Sequence, residues 1–548
     1  MSSARSILTA ALAAVLLAAC TGDGDGPGPT RSNPTSAGTP TATPSPTGTF
    51  QADVFSEDDQ VLAVAINEPS TLDPLRLQDP GSFIVARQLY EGLTRWDPVE
   101  EGPVPAIAEG WNTGDRGRTW VFRLREGTTF HDGSPVRAQD FVFAFDRIAQ
   151  KINASELAYT LEKIEGFDKV NGTGRSDHLA GLEAVDELTL RVRLTERYND
   201  LPTLLTHPAL VPVPRAAVRD IDTFLSQPVG NGPFQMAEAW APGQPVVLRS
   251  FVGFVDSPEI DGIRFLPYVD AASSWIQFVR GELHVAEVPI GQIEAAEQVF
   301  GDAAFEPLLT GYYYGFNLRS RQLRDRRLRV AVNRAIDRQA IATDIFRDTL
   351  IPARGIVPHG MPGFDEDTCG SLCRFAPGEA RRLVRALPRD RRSVVLEFTR
   401  GQPHDQVAKA VRGYLENVGL DVRVRDFDFP TYLRRLSRGD QQIYRLGWIA
   451  EYAVPDVFLW SLFSSRSPDN HSGYESRRVD RLLAKAHSEP SDDLRLQHYV
   501  EAERRILKAV PIVPIGSFMS YWALQPEVGG LTFDTMGGFD AAGVTLED

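Results

Sequence analysis

The stretch RTWVFRLREGTTFHDGSPVRAQDFVFAFDR, residues 118–147, has the clearest local pattern in the chain. Residues 120–124 alternate apolar and polar side chains, the period-two pattern of a β-strand with one buried face. Gly127 ends that strand, and the apolar side chains of residues 141–148 then recur with helical spacing. A half-buried strand followed by an amphipathic helix predicts a mixed α/β domain.

Similar patterns extend through the rest of the chain. The apolar run at residues 61–66 predicts a buried strand, and the spacing of residues 328–346 predicts an amphipathic helix. Residues 394–398, 406–418 and 420–424 predict a strand, a helix and another strand. Because a short strand–helix–strand crossover favours parallel pairing, we expect an α/β protein with a parallel sheet and more than one lobe.

The N-terminus has the pattern of an export signal. An early cation at Arg5 precedes an apolar run over residues 7–19, and the string Leu-Ala-Ala-Cys ends at Cys20. The run is too short for a membrane-spanning helix, which needs ~20 residues. We predict a lipoprotein signal peptide over residues 1–19 and a lipid anchor on Cys20. The alternative is an ordinary cleaved signal peptide in which Cys20 is incidental.

A segment rich in Gly, Pro, Ser and Thr follows the predicted anchor. Such a composition offers too little apolar surface to offset the entropy lost on ordering, so residues 20–55 are predicted to form a disordered tether. Anchor and tether together predict a globular body held at the outer face of the cell membrane, in a periplasmic-equivalent space.

Composition excludes some partners and sites. The net charge of −15 over 548 residues argues against binding to nucleic acid or to anionic lipid. If Cys20 carries lipid, Cys369 and Cys373 remain, and in an oxidising compartment these two are predicted to form a disulfide. A zinc site is the disfavoured alternative, because two thiols without a neighbouring histidine supply too few ligands.

Common catalytic motifs are absent from the sequence. No serine lies in Gly-x-Ser-x-Gly, none of the nine histidines is followed by Glu, and no Gly-Lys pair suggests a phosphate-binding loop. His131 and Asp132 could form a catalytic dyad, but a turn at Gly133 is the preferred interpretation. We therefore expect a protein that is not an enzyme, with no cofactor and no metal.

Residues 118–147 and a set of shorter strings resemble the family 5 extracellular solute-binding proteins of ABC importers, which include oligopeptide-, dipeptide- and nickel-binding receptors. The strings occur in the family's order between residues 61 and 515. They are TLDP at 71–74, LYEGL at 89–93, PAIAEGW at 105–111, PVGNGPF at 228–234, YGFN at 314–317, AIDR at 335–338, GW at 447–448, Asn470 with GY at 473–474, and PIVP at 511–514.

The resemblance implies a two-lobed, hinged periplasmic-binding-protein fold of type II. An extra subdomain would be inserted in the first lobe, and the chain would cross between lobes near residues 308–317 and 512–518. Closure of the lobes over a ligand is a recognised switching motion. The implied boundaries are 56–102, 220–309 and 511–548 for lobe one, 103–219 for the insert, and 310–510 for lobe two.

The resemblance also implies two charged ligand contacts. Glu451 follows Gly-Trp-Ile-Ala, at a place where peptide-binding members usually have an Asp that meets the ligand's α-ammonium. An internal salt bridge is the alternative for Glu451, whose side chain is one methylene longer than Asp. Arg445 matches a position that can meet a peptide carboxylate, and a surface arginine is the alternative there.

Further residues are implied at the cleft. Aromatic side chains combine a large apolar contact surface with a polar edge. Trp448, Tyr452 and Tyr159 are therefore candidates to line the walls of the cleft, and core packing is the alternative for each. Glu68 and its neighbours could present a backbone edge to an extended peptide. Asn470 and Asn231 are interpreted mainly as turn residues, with ligand contact secondary.

The sequence thus predicts a lipid-anchored, monomeric receptor that captures peptides outside the membrane. It would deliver them to ABC permease subunits, whose ATPases supply the energy. The same receptor could instead take a nickel chelate, haem, an oligosaccharide or an opine. From a different class, a secreted hydrolase or a peptide-holding chaperone is the alternative.

Overall fold

The computed structural model describes residues 54–301 and 304–547. The predicted signal peptide, Cys20 and the predicted tether as far as residue 53 lie outside the described residues. Among the helices that the structure describes, none is long and apolar enough to cross a membrane.

Strands and helices alternate along most of the described chain. The strands are β1 (Val61–Ile66), β2 (Thr94–Asp97), β3 (Gly102–Pro105), β4 (Ala108–Gly114), β5 (Thr119–Leu124), β6 (Leu182–Ala184), β7 (Thr189–Arg193), β8 (Phe234–Met236), β9 (Val246–Ser250), β10 (Gly262–Pro267), β11 (Val285–Glu287), β12 (Phe305–Pro307), β13 (Thr310–Phe316), β14 (Leu350–Pro352), β15 (Ser393–Thr399), β16 (Asp421–Phe427), β17 (Ile443–Ile449), β18 (Ile512–Leu524), β19 (Val528–Gly529), β20 (Thr532–Phe533), β21 (Phe539–Asp540) and β22 (Thr545–Leu546). The α-helices are Pro80–Leu89, Ala138–Ala149, Leu201–Leu204, Ile221–Ser226, Ala271–Val279, Ile293–Phe300, Arg326–Ala335, Arg338–Ala340, Pro377–Arg385, His404–Asn417, Phe429–Arg438, Asp456–Phe463, Arg477–Ser488 and Asp492–Ala509.

One mixed sheet of 12 strands runs through the molecule, in the order β16-β15-β17-β13-β18-β11-β1-β10-β9-β8, with β12 and β14 also paired to β18. Strand β15 is parallel to β16, with the helix His404–Asn417 between them in the chain. The predicted parallel crossover is therefore confirmed, and the fold is mixed α/β.

The long strand β18 lies in the middle of this sheet and joins its two halves. Its first residues pair with β13, and its last residues pair with β11. Strands β13 and β18 lie in the segments where the sequence predicts the chain to cross between lobes. Both predicted crossings are thus neighbouring antiparallel strands, held together by backbone hydrogen bonds.

The sheet has a buried core on each face at β13. Tyr312, Tyr314 and Phe316 belong to one hydrophobic cluster, whereas Tyr313 belongs to a second, larger cluster that includes Trp448. This division follows from the pleat, because successive side chains of a strand point to opposite faces.

The opening stretch of sequence forms the elements that its pattern predicts. Its strand is β5, inside a separate sheet of order β4-β5-β7-β6, and its helix is Ala138–Ala149. The helix ends in a buried ion pair: Arg147 Nη1 and Nη2 lie 2.7 and 2.5 Å from the two carboxylate oxygens of Asp73. Since Asp73 follows β1, this pair fixes the small sheet's helix to the main sheet.

The segment predicted as a single helix over residues 328–346 is broken, and that prediction is wrong. The structure has a helix Arg326–Ala335, a short helix Arg338–Ala340 and a π-helix Ile341–Ile345. Ile336 adopts an extended conformation, and the Asp337 carboxylate accepts a hydrogen bond from Ala340 N at 3.1 Å. An aspartate that caps a new helix therefore overrides the continuous apolar spacing.

We predict that Arg147→Ala lowers the free energy of unfolding by roughly 3–5 kcal/mol, because it leaves the Asp73 carboxylate buried without its cation. Urea denaturation measures this change. The control is Arg412→Ala, which removes the exposed pair between Arg412 and Glu416 and should cost far less. Equal losses in the two variants would contradict the structural role of the buried pair.

Candidate functional site

Strand β17 leaves part of one edge open. On one side it pairs with β13 over its whole length. On the other side β15 meets it only at Ile443 and Tyr444, and the Arg445 carbonyl accepts a hydrogen bond from Tyr432 Oη at 2.7 Å. No described strand pairs with this edge after Tyr444. Backbone groups on such an edge can accept an added strand.

Glu451 lies just beyond the end of β17. Its neighbour Ala450 donates its backbone N–H to the Leu309 carbonyl at 2.8 Å, which fixes the chain there. The Glu451 side chain is only 13% exposed, and its Oε2 lies 3.6 Å from Nε2 of His207, whose side chain is fully buried. Among the described residues, neither of these two atoms has a hydrogen-bond partner.

The contact between His207 and Glu451 is not an ion pair at neutral pH. Burial lowers the pKa of His207 to about 3, with Arg87 adding to the effect, so the imidazole is uncharged. Burial also raises the pKa of Glu451 to about 7. Glu451 and His207 therefore do not form a salt bridge at neutral pH. Ionised Glu451 is a buried carboxylate without a cation, which suits a positively charged ligand group.

Tyr452 connects this site to the segment after β7. Burial raises its pKa well above the usual range, and its side chain interacts electrostatically with that of Tyr198. Asp200 lies two residues after Tyr198 in the chain. Its carboxylate accepts a hydrogen bond from Tyr499 Oη at 2.8 Å and forms an ion pair with Arg495 Nε at 2.6 Å. The site of Glu451 therefore lies where the predicted insert meets the helix Asp492–Ala509.

Arg445 is buried, so the alternative of a surface arginine is wrong. It is 2% exposed, and its guanidinium carbon lies 4.4 Å from the Tyr312 ring centroid. Its Nε and Nη2 atoms have no hydrogen-bond partner among the described residues. His404 Nδ1 lies 3.2 Å from Tyr312 Oη, and burial, followed by the Arg445 charge, lowers the pKa of His404 to about 2. This group is suited to an anionic ligand group.

Two of the predicted aromatic walls differ in burial. Trp448 is 5% exposed and donates its indole N–H to the Val457 carbonyl at 2.8 Å, which is a core-packing role. Tyr159 is half-buried on the 3₁₀ helix Glu156–Leu161. Whether either ring contacts a ligand stays a prediction.

The predicted polar residues make internal contacts. Glu68 is exposed, and its Oε1 accepts a hydrogen bond from Gly243 N at 2.6 Å. Asn470 Nδ2 donates to the Tyr474 carbonyl at 2.7 Å, while its Oδ1 accepts from Ser472 Oγ at 2.7 Å. These bonds match its interpretation as a turn residue.

Asn231 is likewise engaged with the backbone. Its Oδ1 accepts from the Glu91 backbone N–H at 3.2 Å, and its Nδ2 donates to the Glu91 carbonyl at 2.9 Å. Both hydrogen bonds close on one residue 140 positions away, so they join two distant segments of the chain, and the turn role stays a prediction.

The remaining candidates have structural partners. Cys369 and Cys373 are bonded as a disulfide, with Cα atoms 5.6 Å apart. The His131 ring contacts the backbone of Gly230 and Gly232, while Asp132 Oδ1 accepts from Ser134 N at 2.9 Å. His131 and Asp132 therefore stabilise a turn rather than each other. No group of His, Cys, Asp and Glu side chains in the described residues could hold a metal ion.

Sequence reasoning missed three residues of the site: His207, His404 and Tyr312. A single histidine in a proline-rich or polar segment carries no periodic signal, and Tyr312 resembles any strand residue. Their partners Glu451 and Arg445 are far away in the chain, so only the folded sheet brings them together.

We predict that Glu451→Gln stabilises the ligand-free protein at pH 8 by up to about 3 kcal/mol and has little effect near pH 4.5. The folded carboxyl, with its pKa raised to about 7 from 4.5, binds more protons than the unfolded one in this window. Stability of the wild type therefore falls as the pH rises from 4.5 to 7.

The measurement is urea denaturation of both proteins across that pH range. The difference between the two curves is the relevant quantity, because burial also raises the pKa values of Glu91 and Glu503 to about 7. A pH-independent difference would show that Glu451 does not titrate as described.

A family model and two similar proteins of known name match most of the chain. The family model "Bacterial extracellular solute-binding proteins, family 5 Middle" matches residues 102–470. The chain is 28% identical over 483 residues to the periplasmic oligopeptide-binding protein OppA of Salmonella typhimurium, covering 85% of this chain and 88% of that one. It is 27% identical over 484 residues to the oligopeptide-binding protein OppA of Bacillus subtilis, with coverages of 85% and 88%.

Solved structures agree on the fold. The unliganded open form of MppA, a periplasmic murein tripeptide binding protein, superimposes with a TM-score of 0.78 at 24% identity, covering 89% of this chain and 98% of that one. HbpA2 from Haemophilus parasuis gives a TM-score of 0.77 at 21% identity, with coverages of 89% and 100%. The predicted two-lobed fold is therefore confirmed.

Proposed function

The chain belongs to the bacterial extracellular solute-binding proteins of family 5, and we propose that it is the peptide-binding receptor of an ABC importer. It collects peptides outside the cytoplasm and presents them to permease subunits, whose partner ATPases supply the energy. The relatives named as oligopeptide-binding proteins support the ligand class. The receptor itself binds and releases its ligand without a catalytic step.

Glu451 is the observation on which the peptide assignment depends. Its buried Oε2 has no donor among the described residues, and its histidine neighbour is uncharged at neutral pH. The α-ammonium of a peptide carries the missing positive charge and three donors. Binding this group converts an unfavourable buried charge into a compensated one.

The open edge of β17 supports binding of an extended ligand. Peptide backbone N–H and C=O groups would pair with this edge, and such main-chain bonds are independent of the ligand's sequence. Arg445 is the partner proposed for the peptide carboxylate, because two of its nitrogens are buried without acceptors among the described residues. Trp448, Tyr452, Tyr159, Glu68 and Asn470 stay proposed contacts of the same cleft.

The anchor and the lobes complete the proposal. Lipid on Cys20 and the tether that follows would hold a monomer at the outer face of the membrane. Lobe one, the insert and lobe two would keep the boundaries predicted from sequence, and the lobes would close by bending at β13 and β18. The boundaries rest on the order of the family's strings in the sequence.

Thermal unfolding of the mature chain with a ligand panel tests the proposal. The panel contains tri- to pentapeptides, their N-acetylated forms, chelated nickel, haem and an oligosaccharide. A ligand at ~100 times its dissociation constant should add ~2.7 kcal/mol, which raises the melting temperature by a few degrees. We expect a shift with free-amine peptides and a smaller one after acetylation. A shift only with nickel, haem or sugar would contradict the peptide assignment.

A further inference from the structure

The net charge of −15 is divided unevenly along the chain. Residues 310–510 contain 35 Lys and Arg residues and 26 Asp and Glu residues, which gives this segment a net charge of +9. The rest of the chain contains 23 Lys and Arg residues and 47 Asp and Glu residues, a net charge of −24. The net charge of the whole chain therefore does not describe the charge of each of its parts.

Two short segments account for the positive excess. Residues 319–327 contain five arginines and one aspartate, and residues 381–392 contain six arginines and one aspartate. The first segment follows β13, and the second runs from the end of the helix Pro377–Arg385 to the turn before β15. Because arginine stays protonated at every physiological pH, this positive charge is permanent.

The fold brings the two segments together. Arg321 Nη2 lies 2.6 Å from Asp390 Oδ2, and Arg391 Nη1 donates a hydrogen bond to the Arg321 carbonyl at 3.5 Å. The helix Arg326–Ala335, which begins in the first segment, packs against the helix Pro377–Arg385. The arginines of both segments therefore lie on one continuous surface.

Lys508 adds a further cation to this surface. Arg326 Nε donates a hydrogen bond to the Lys508 carbonyl at 2.8 Å, which brings the end of the helix Asp492–Ala509 beside the first segment. The Lys508 side chain is exposed. We call the surface formed by residues 319–327, residues 381–392 and Lys508 the basic face.

The cations of the basic face outnumber the anions that could compensate them. Its two aspartates are already paired, Asp325 with Arg327 and Asp390 with Arg321. The other arginines include Arg324, Arg385 and Arg389, which are exposed and form no ion pair with any described residue. The basic face can therefore bind an anion from outside the protein.

Phosphodiester groups match these side chains. A guanidinium group forms charge-assisted, bidentate hydrogen bonds with the oxygens of a phosphate. The cations of the basic face come from two segments and the end of a third, so they are spread over a surface. An extended array of phosphates fits this distribution better than one small anion does.

The proposed anchor places such an array within reach. A flexible chain as long as the tether, residues 20–55, has an r.m.s. end-to-end distance of roughly 30–35 Å. The body is then concentrated near the lipid headgroups, so even weak binding is effective. Because the Debye length is about 8 Å at physiological ionic strength, the acidic remainder of the chain has little effect on this face.

We propose that the basic face is a membrane-docking surface that binds the phosphodiester headgroups of anionic lipids. The anchor keeps the receptor near the membrane, and the basic face determines which side of the body turns towards it. Docking depends on the proposed position at the membrane and not on the identity of the transported ligand. The whole-chain charge predicts no attraction to anionic lipid, and the basic face is a local exception.

Co-sedimentation with lipid vesicles tests the proposal. The mature chain is prepared without lipid on Cys20, so that the anchor does not mask the contribution of the basic face. Vesicles of phosphatidylcholine alone are compared with vesicles that contain about 30% phosphatidylglycerol, at about 0.05 M and about 0.5 M salt. We expect binding to the anionic vesicles at low salt, at least about tenfold weaker binding at high salt, and no binding to phosphatidylcholine alone.

A triple variant removes three exposed cations of the basic face: Arg324→Gln, Arg385→Gln and Arg389→Gln. Each cation near an anionic membrane strengthens binding by about fivefold. We therefore expect the triple variant to bind the anionic vesicles at least about tenfold more weakly than the wild type. Thermal unfolding checks that the variant is folded.

The matched control combines Arg116→Gln, Arg219→Gln and Arg280→Gln. These three arginines are also exposed and lie outside residues 310–510, so the change in net charge is the same. We expect the control to bind the anionic vesicles as the wild type does.

The possible outcomes separate docking from ligand binding. No binding to anionic vesicles at low salt, or equal binding to both kinds of vesicle, overturns the proposal. Binding that persists in the folded triple variant, or that falls equally in the control, places the contact elsewhere and also overturns it. Binding of soluble polyphosphate without binding of vesicles would assign the basic face to a soluble polyanion and overturn membrane docking. Each of these results leaves the proposed peptide function intact, since the ligand panel measures that function separately.

Discussion

The antiparallel pairing of β13 with β18 is the constraint on which the rest of the structure depends. These two strands join the two halves of a 12-stranded sheet, and β18 continues from β13 on to β11. Strand β17 pairs with the far side of β13, so the same arrangement positions Glu451 at its end and Arg445 within it. A change in their pairing would therefore displace both charges and the open edge together.

Some buried charges in this molecule are compensated by an internal partner, and others are not. Asp73 and Arg147 face each other with two short hydrogen bonds, and both charges are compensated inside the protein. Glu451 and Arg445 are also largely buried, but each has side-chain atoms without a partner among the described residues. Burying an ion without its partner is costly, so a protein that keeps two such ions has another use for them. A zwitterionic ligand, with an ammonium and a carboxylate, would compensate both.

The local spacing of apolar and polar residues predicts many of the strands and helices. It does not predict features that depend on contacts between residues far apart in the chain. The alternation in residues 118–147 correctly predicts β5 and the helix Ala138–Ala149, because each element buries one face. The prediction of a single helix over residues 328–346 is wrong, because Asp337 caps a second helix in the middle of the apolar repeat. Glu451 is a site candidate because of its motif, whereas the proximity of His207 to it is visible only in the folded protein.

The most direct test of the central claim is the number of protons exchanged on peptide binding at pH 7. It is measured by calorimetry in buffers with different ionisation enthalpies. With a pKa of about 7, Glu451 is half protonated before binding, and a bound ammonium holds it ionised. The account predicts release of about half a proton per peptide, absent in Glu451→Gln and with an N-acetylated peptide. No release by the wild type, or the same release by the variant, would contradict the role of Glu451 as the ammonium partner.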